Sequence, residues 1–101
     1  MFVTLCGFLD CDPKILEKKN DNDDFSCMFT LRAYQTNTST SINIVRCVCV
    51  GKIATKVFEN LKKDDYISVS AKLRINEKNE CSLFVYDYLL MLEKRIVPNY
   101  N

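Results

Sequence analysis

Lys72 and Arg74 stand two residues apart in "YISVSAKLRI" (66–75), on the side of an alternating stretch opposite Ile67, Val69, Ala71, Leu73 and Ile75. An extended chain sends alternate side chains to opposite faces, so the apolar set seeks a core and the two cations face solvent. Arg32 and Arg46 also fall in strand-like stretches, "FSCMFTLRAY" and "INIVRCVCV". The chain as a whole is nearly neutral, with 14 Lys and Arg against 13 Asp and Glu. Any site for a polyanion must therefore come from local clustering of such basic side chains and not from overall charge.

Other chemistries find less support. The sequence has no His, only two Gly and no Walker-type loop, and its carboxylates gather in "NDNDD" instead of pairing across a pocket. No nucleophile–base pair or metal cage can be named, so the expectation is a protein that is not an enzyme and needs no cofactor. The acidic run reads as a solvated loop, with a weak cation site the less favoured alternative. Six cysteines occupy positions 6, 11, 27, 47, 49 and 81, without a secretory leader and without a Cys-x-x-Cys pair. Cys47 and Cys49 alone would supply two metal ligands, too few for a structural site. The six read as small buried hydrophobes with free thiols.

A chain of 101 residues, 48% apolar and 27% charged, suits one folded domain. No apolar run approaches the roughly 20 residues that cross a bilayer, and "MFVTLCGFLD" lacks a basic leader. The expected address is cytoplasmic, with no membrane partner.

These side chains need elements to hold them. "FVTLCGFLD" forms a first strand, ended by a bend at Pro13. "ILEKKNDNDD" reads as an exposed loop. In the second strand Phe25, Cys27, Phe29, Leu31 and Ala33 form the core-facing set. "QTNTSTS" is a polar loop expected to be mobile, and "INIVRCVCV" is a third strand apolar enough to be covered on both faces or paired with another subunit.

Next comes a helix over about 53–61, with Ile53, Val57, Phe58 and Leu61 in one stripe and Lys62 and Lys63 closing it at the negative end of its dipole. "YISVSAKLRI" is the fourth strand, "NEKNE" a turn, and "CSLFVYDYLLMLE" a long fifth strand. Three strands, one helix and two strands form the order of an all-β, five-stranded Greek-key barrel of the oligonucleotide-binding type (OB-fold), with its α-helix between strands 3 and 4. The domain is expected over 1–95, with a short tail at 96–101. The helix stripe would plug the barrel, each buried side chain contributing about 1.5–3 kcal/mol, so polar substitution of Phe58 or Leu61 is expected to unfold the domain.

Five blocks of sequence then resemble the bacterial and mitochondrial single-stranded DNA-binding protein family: "VTLCGFLDCDP", "FTL", "VRCVCVGKIA", "LKKDDYISVSAKLR" and the terminal Met91-Leu92. They follow the family's order and similar spacing from about Phe2 to Leu92. The resemblance implies a barrel that assembles as a homotetramer or homodimer and coats single-stranded DNA without reading its sequence, in replication, repair or recombination. RNA is an open second ligand, and the implied location is nucleoid-associated. Such binding combines a basic groove along the phosphates with flat side chains on which bases stack.

Arg46, Lys52 and Arg74 lie in the family-like blocks, and Arg32 and Lys72 complete the basic set. The family stacks bases on Trp and Phe, whereas this chain has no Trp, and Ile44 and Val50 stand where those rings are expected. Tyr34, Phe8 and the period-two set Phe84, Tyr86 and Tyr88 are the replacement platforms on offer, although that set reads first as core or subunit interface. The chain ends in "EKRIVPNYN", slightly basic, where bacterial members continue into an acidic tip. The expectation is a minimal coating module or a paralogue with a narrower task. The alternative is an oligomeric protein-interaction module, similar to primosomal barrels, with weak or no nucleic-acid binding.

Overall fold

The computed structural model describes residues 1–18, 25–34 and 42–91. The "NDNDD" and "QTNTSTS" segments and the expected boundary at 95 lie outside them. Six strands and one helix follow in the order β1 (Phe2–Leu9), β2 (Lys14–Lys18), β3 (Phe25–Tyr34), β4 (Ile42–Val50), α1 (Lys52–Asn60), β5 (Tyr66–Ile75) and β6 (Cys81–Leu90).

The sheet runs β1-β5-β6-β4-β3-β2, and a further β1–β3 pairing closes five of its strands into a barrel. All pairs are antiparallel except β4–β6, which is parallel through Cys47–Leu83 and Val48–Phe84. This is the expected OB-fold barrel, with α1 after the third barrel strand.

One strand was not anticipated. Lys14–Lys18, expected as the start of an exposed loop, pairs with β3 from Lys14–Met28 to Lys18–Phe25. β1 pairs with the other end of β3, at Phe8–Arg32 and Leu9–Leu31, so β1 and β2 lie end to end along one neighbour, with the Pro13 bend between them. Main-chain hydrogen bonds hold such an edge strand, while Ile15 and Leu16 both stay exposed; no alternation of apolar residues marks it in the sequence.

Closure of the barrel depends on Gly7. A β-carbon there would stand 2.6 Å from the main-chain oxygen of Arg32, far inside contact distance, so only glycine lets β1 settle onto β3.

The core is built as the alternation requires, from Leu9, Cys27, Phe29, Leu31, Cys47, Cys49, Ile67, Val69, Leu83 and Val85. Burial pushes the Cys47 thiol up to about 12, so it stays protonated and packs as an apolar group. The reading of all six cysteines as buried is corrected for Cys6 and Cys81, which are exposed, and Cys11, which is half-buried; all six are free thiols. Ile75, at the far end of the β5 apolar set, is exposed as well, because β5 there outruns the barrel toward the Asn76–Glu80 turn.

Helix α1 packs on β3 and β4, but its plug is Ala54, Val57 and Leu61, with Ile53 at the rim. Phe58 is 43% exposed, its ring edge-on to Phe25 at 6.3 Å. The expectation that a polar residue at 58 unfolds the domain is therefore withdrawn. Lys62 and Lys63 fall beyond the last helical residue, Asn60, and do not cap it. Among the described residues no helix is long and apolar enough to cross a membrane.

Candidate nucleic-acid interface

β4 turns Val45, Cys47 and Cys49 inward and Ile44, Arg46, Val48 and Val50 outward. Coverage of both its faces is not seen: Ile44 is 54% and Val50 47% exposed. Its neighbours extend this outer face into rows. Arg46 faces Thr30 across the β3–β4 pair, and Val48 faces Met28. On the other side Val48 is level with Phe84, and Phe84 faces Lys72, which faces Phe2 on β1. Two residues back along the parallel pair, Arg46 and Ser82 hold equivalent positions, and Ser82 faces Arg74.

The register thus places Arg46 and Arg74 in one row, their backbones two strand spacings or about 10 Å apart. Lys72 and Phe84 occupy the adjacent row. Arg74 reaches diagonally across, its guanidinium over the Phe84 ring at 4.2 Å from the centroid. Arg46, Lys72 and Arg74 are exposed, and among the described residues none of the three forms an ion pair. The result is a strip of free positive charge interleaved with Ile44, Val48 and the ring of Phe84.

Arg32, the other strand-borne arginine, has a different fate. Its Nη2 donates a 2.9 Å hydrogen bond to Asp64 Oδ1, and its Nε lies 3.2 Å from Asp10 Oδ1. The guanidinium also sits 5.6 Å from the centroid of Phe8, whose other neighbour is Tyr66 at 4.7 Å. Burial, then the nearby Cys6 thiol, push the Tyr66 hydroxyl up.

The carboxylates are held in turn by main-chain ties between the β1–β2 bend and the loop before β5. Asp64 N donates to Leu9 O and Leu9 N to Asp65 O, both at 2.9 Å, while Lys63 N donates to Asp12 Oδ1 at 2.7 Å. Arg32 is thus a clasp across the barrel's closing seam, and Phe8 is packed into that clasp.

Lys52 stands apart from both groups. It opens α1 after Gly51, whose φ of 73° makes the turn out of β4, and lines a cleft of about 410 Å³ with Ile53, Lys56 and Tyr86–Leu90 of β6. Tyr34 lies at the end of β3, opposite Ile42; its side chain is outside the described residues.

The stripe Phe84-Tyr86-Tyr88 does not survive as one face. A bulge on β6, where Ser70 faces Asp87 but Ala71 faces Val85, shifts the alternation by one residue. Phe84 and Tyr86 face outward and Tyr88 turns inward against the core. Tyr86 is 52% exposed and meets the 69% exposed Phe2 edge-on at 5.7 Å.

Val48 and Lys56 were missed, though each carried a signal: Val48 shares the parity of Ile44 and Arg46, and Lys56 is one helical turn from Lys52. The pairing of Arg74 with Phe84 had none, since it depends on the register between two strands.

No protein-family model matches the sequence, and no curated protein matches it. Solved structures do. A small single-stranded DNA-binding protein from Streptomyces coelicolor superposes with a TM-score of 0.75 at 17% identity, covering 93% of this chain and 96% of its own. The SSB domain of a Synechococcus sp. protein superposes with a TM-score of 0.71 at 16% identity, covering 86% of this chain and 91% of its own. At such low identity the likeness establishes the fold, so this chain is an OB-fold barrel built along nearly its whole described length like those two domains.

Proposed function

We propose that the protein binds single-stranded DNA without reading its sequence and without catalysis, coating it during replication, repair or recombination. One observation carries this reading: Arg46, Lys72 and Arg74 share the outer face of β4, β6 and β5 with Phe84, unneutralised by any described carboxylate. Cations of this kind follow phosphates, and flat groups between them take bases of any identity. The fold shared with a single-stranded DNA-binding protein and an SSB domain adds support. Single-stranded RNA presents the same chemistry and is the competing ligand. A cytoplasmic, nucleoid-associated location belongs to the same proposal.

Titration of the purified protein with fluorescently labelled oligo-dT at low and moderate salt tests it. Saturable binding that weakens as salt rises is expected. Absence of binding at both salts rejects the function, and binding indifferent to salt rejects the phosphate-following mechanism.

A second reading, an oligomeric interaction module, draws on the exposed Phe2 and Tyr86 pair, with exposed Leu89 further along β6. Those side chains are suited to a contact between copies, in keeping with the homodimer or homotetramer proposed here. Sedimentation with and without oligo-dT separates the two: assembly without ligand uptake favours the module.

A further inference from the structure

We infer that Arg74 and Phe84 form one composite platform for a nucleobase, in which the base stacks on the guanidinium and the guanidinium rests on the ring. This deepens the function proposed above and rests on it. The barrel has no Trp, and the outer positions of β4 carry Ile44, Val48 and Val50, which offer bulk but no planar surface. Among the described residues, the planar groups on the face that carries Arg46, Lys72 and Arg74 are therefore few. Tyr86 is engaged edge-on with Phe2, and Tyr88 is turned inward by the β6 bulge. On the β4–β6–β5 face, among the described residues, Phe84 remains, half-buried, with Arg74 over it at 4.2 Å.

A ring so covered cannot receive a base on that face. The covering group can, because a guanidinium is itself planar, and bases stack on arginine planes as they do on aromatic rings. Arg74 is exposed, and its lack of a described ion pair leaves its outer surface open. Contact with the ring restrains a side chain that would otherwise sample many rotamers, so less freedom is lost when a base arrives. Arg46, in the same row, is placed for the neighbouring phosphate. The ligand class is any nucleobase in a single strand, since every base has a π-face.

The test compares oligo-dT with an abasic oligomer of equal length, which keeps the phosphates and lacks the bases. Wild type is expected to prefer oligo-dT by about tenfold, the loss of at least one stacked base. Arg74→Lys keeps the charge and removes the plane; it is expected to lower oligo-dT affinity about five- to tenfold more than it lowers abasic affinity, with the salt slope unchanged. Phe84→Leu should reproduce the loss, and the double variant should lose little more than either alone.

Arg74 occupies an exposed position, so its Lys variant carries the test even if Phe84→Leu loosens the sheet. Wild-type affinity for oligo-dT in Arg74→Lys, or an equal loss on both oligomers, overturns the platform and leaves DNA binding standing. Failure of wild type to bind either oligomer removes the platform together with the proposed function.

Discussion

Arg32 and Arg74 repeat one local arrangement, an arginine laid over a phenylalanine on the outer face of the barrel, at 5.6 Å from Phe8 and 4.2 Å from Phe84. Their surroundings differ. Asp10, from the bend after β1, and Asp64, from the loop before β5, converge on Arg32, whereas Arg74 faces Ser82 and no described carboxylate. A cation whose charge is met within the protein holds elements together; one left unmet is available to a polyanion. The lesson is that side-chain type and strand position made these residues look alike, and the partners brought in by the chain path separated them.

The largest effect should come from the seam that Arg32 clasps. Gly7→Ala forces a β-carbon onto the Arg32 main-chain oxygen, which belongs to paired backbone and cannot yield. A loss of about 3 kcal/mol is expected, read by urea unfolding; retention of wild-type stability would show that the seam is looser than its geometry.

In the strip that runs from β4 across β6 to β5, Arg46→Glu with Arg74→Glu should weaken oligo-dT binding roughly thirtyfold or more at low salt. Thermal unfolding should barely move, since both side chains are exposed. An unchanged affinity would place the ligand elsewhere on the barrel.

Arg32→Met sharpens the contrast by keeping the stem on Phe8 and removing the charge. The contacts of the guanidinium with Asp10 and Asp64 are then lost, a cost of roughly 1 kcal/mol after allowance for their exposure. Oligo-dT affinity should stay within about twofold. A large affinity loss with intact stability would assign Arg32 to the ligand and not to the seam.

The smallest effect is expected at the helix rim, away from both arginines. Phe58→Ser removes an edge contact with Phe25 from a side chain already 43% exposed, a change of about 1 kcal/mol. Leu61→Ser, at a buried plug position, should cost about twice as much or more in the same denaturation experiment.

Much of this architecture was legible in advance, for a reason visible in particular residues. Cys27, Phe29, Leu31 and Ala33 on β3, and Ile67, Val69 and Ala71 on β5, alternate so regularly that the inner face of the barrel could be assigned from them. What escaped was whatever main-chain pairing creates without an apolar period: the edge strand Lys14–Lys18 and the β6 bulge that turns Tyr88 inward. The candidate site divided along the same line. Arg46, Lys72 and Arg74 could be put on an outward face from their own strands, but their common row required the β4–β6 and β5–β6 registers.

By itself, then, the order of residues determined the inward set of β3 and most of that of β5, where α1 falls and that Arg46, Lys72 and Arg74 face outward, because each follows from a period read along a single segment. Tertiary structure alone decided that Asp10 and Asp64 neutralise Arg32, that Phe84 receives Arg74, and that only glycine fits at position 7. Those outcomes depend on distances between segments far apart in the chain, and such distances are set only when the barrel closes.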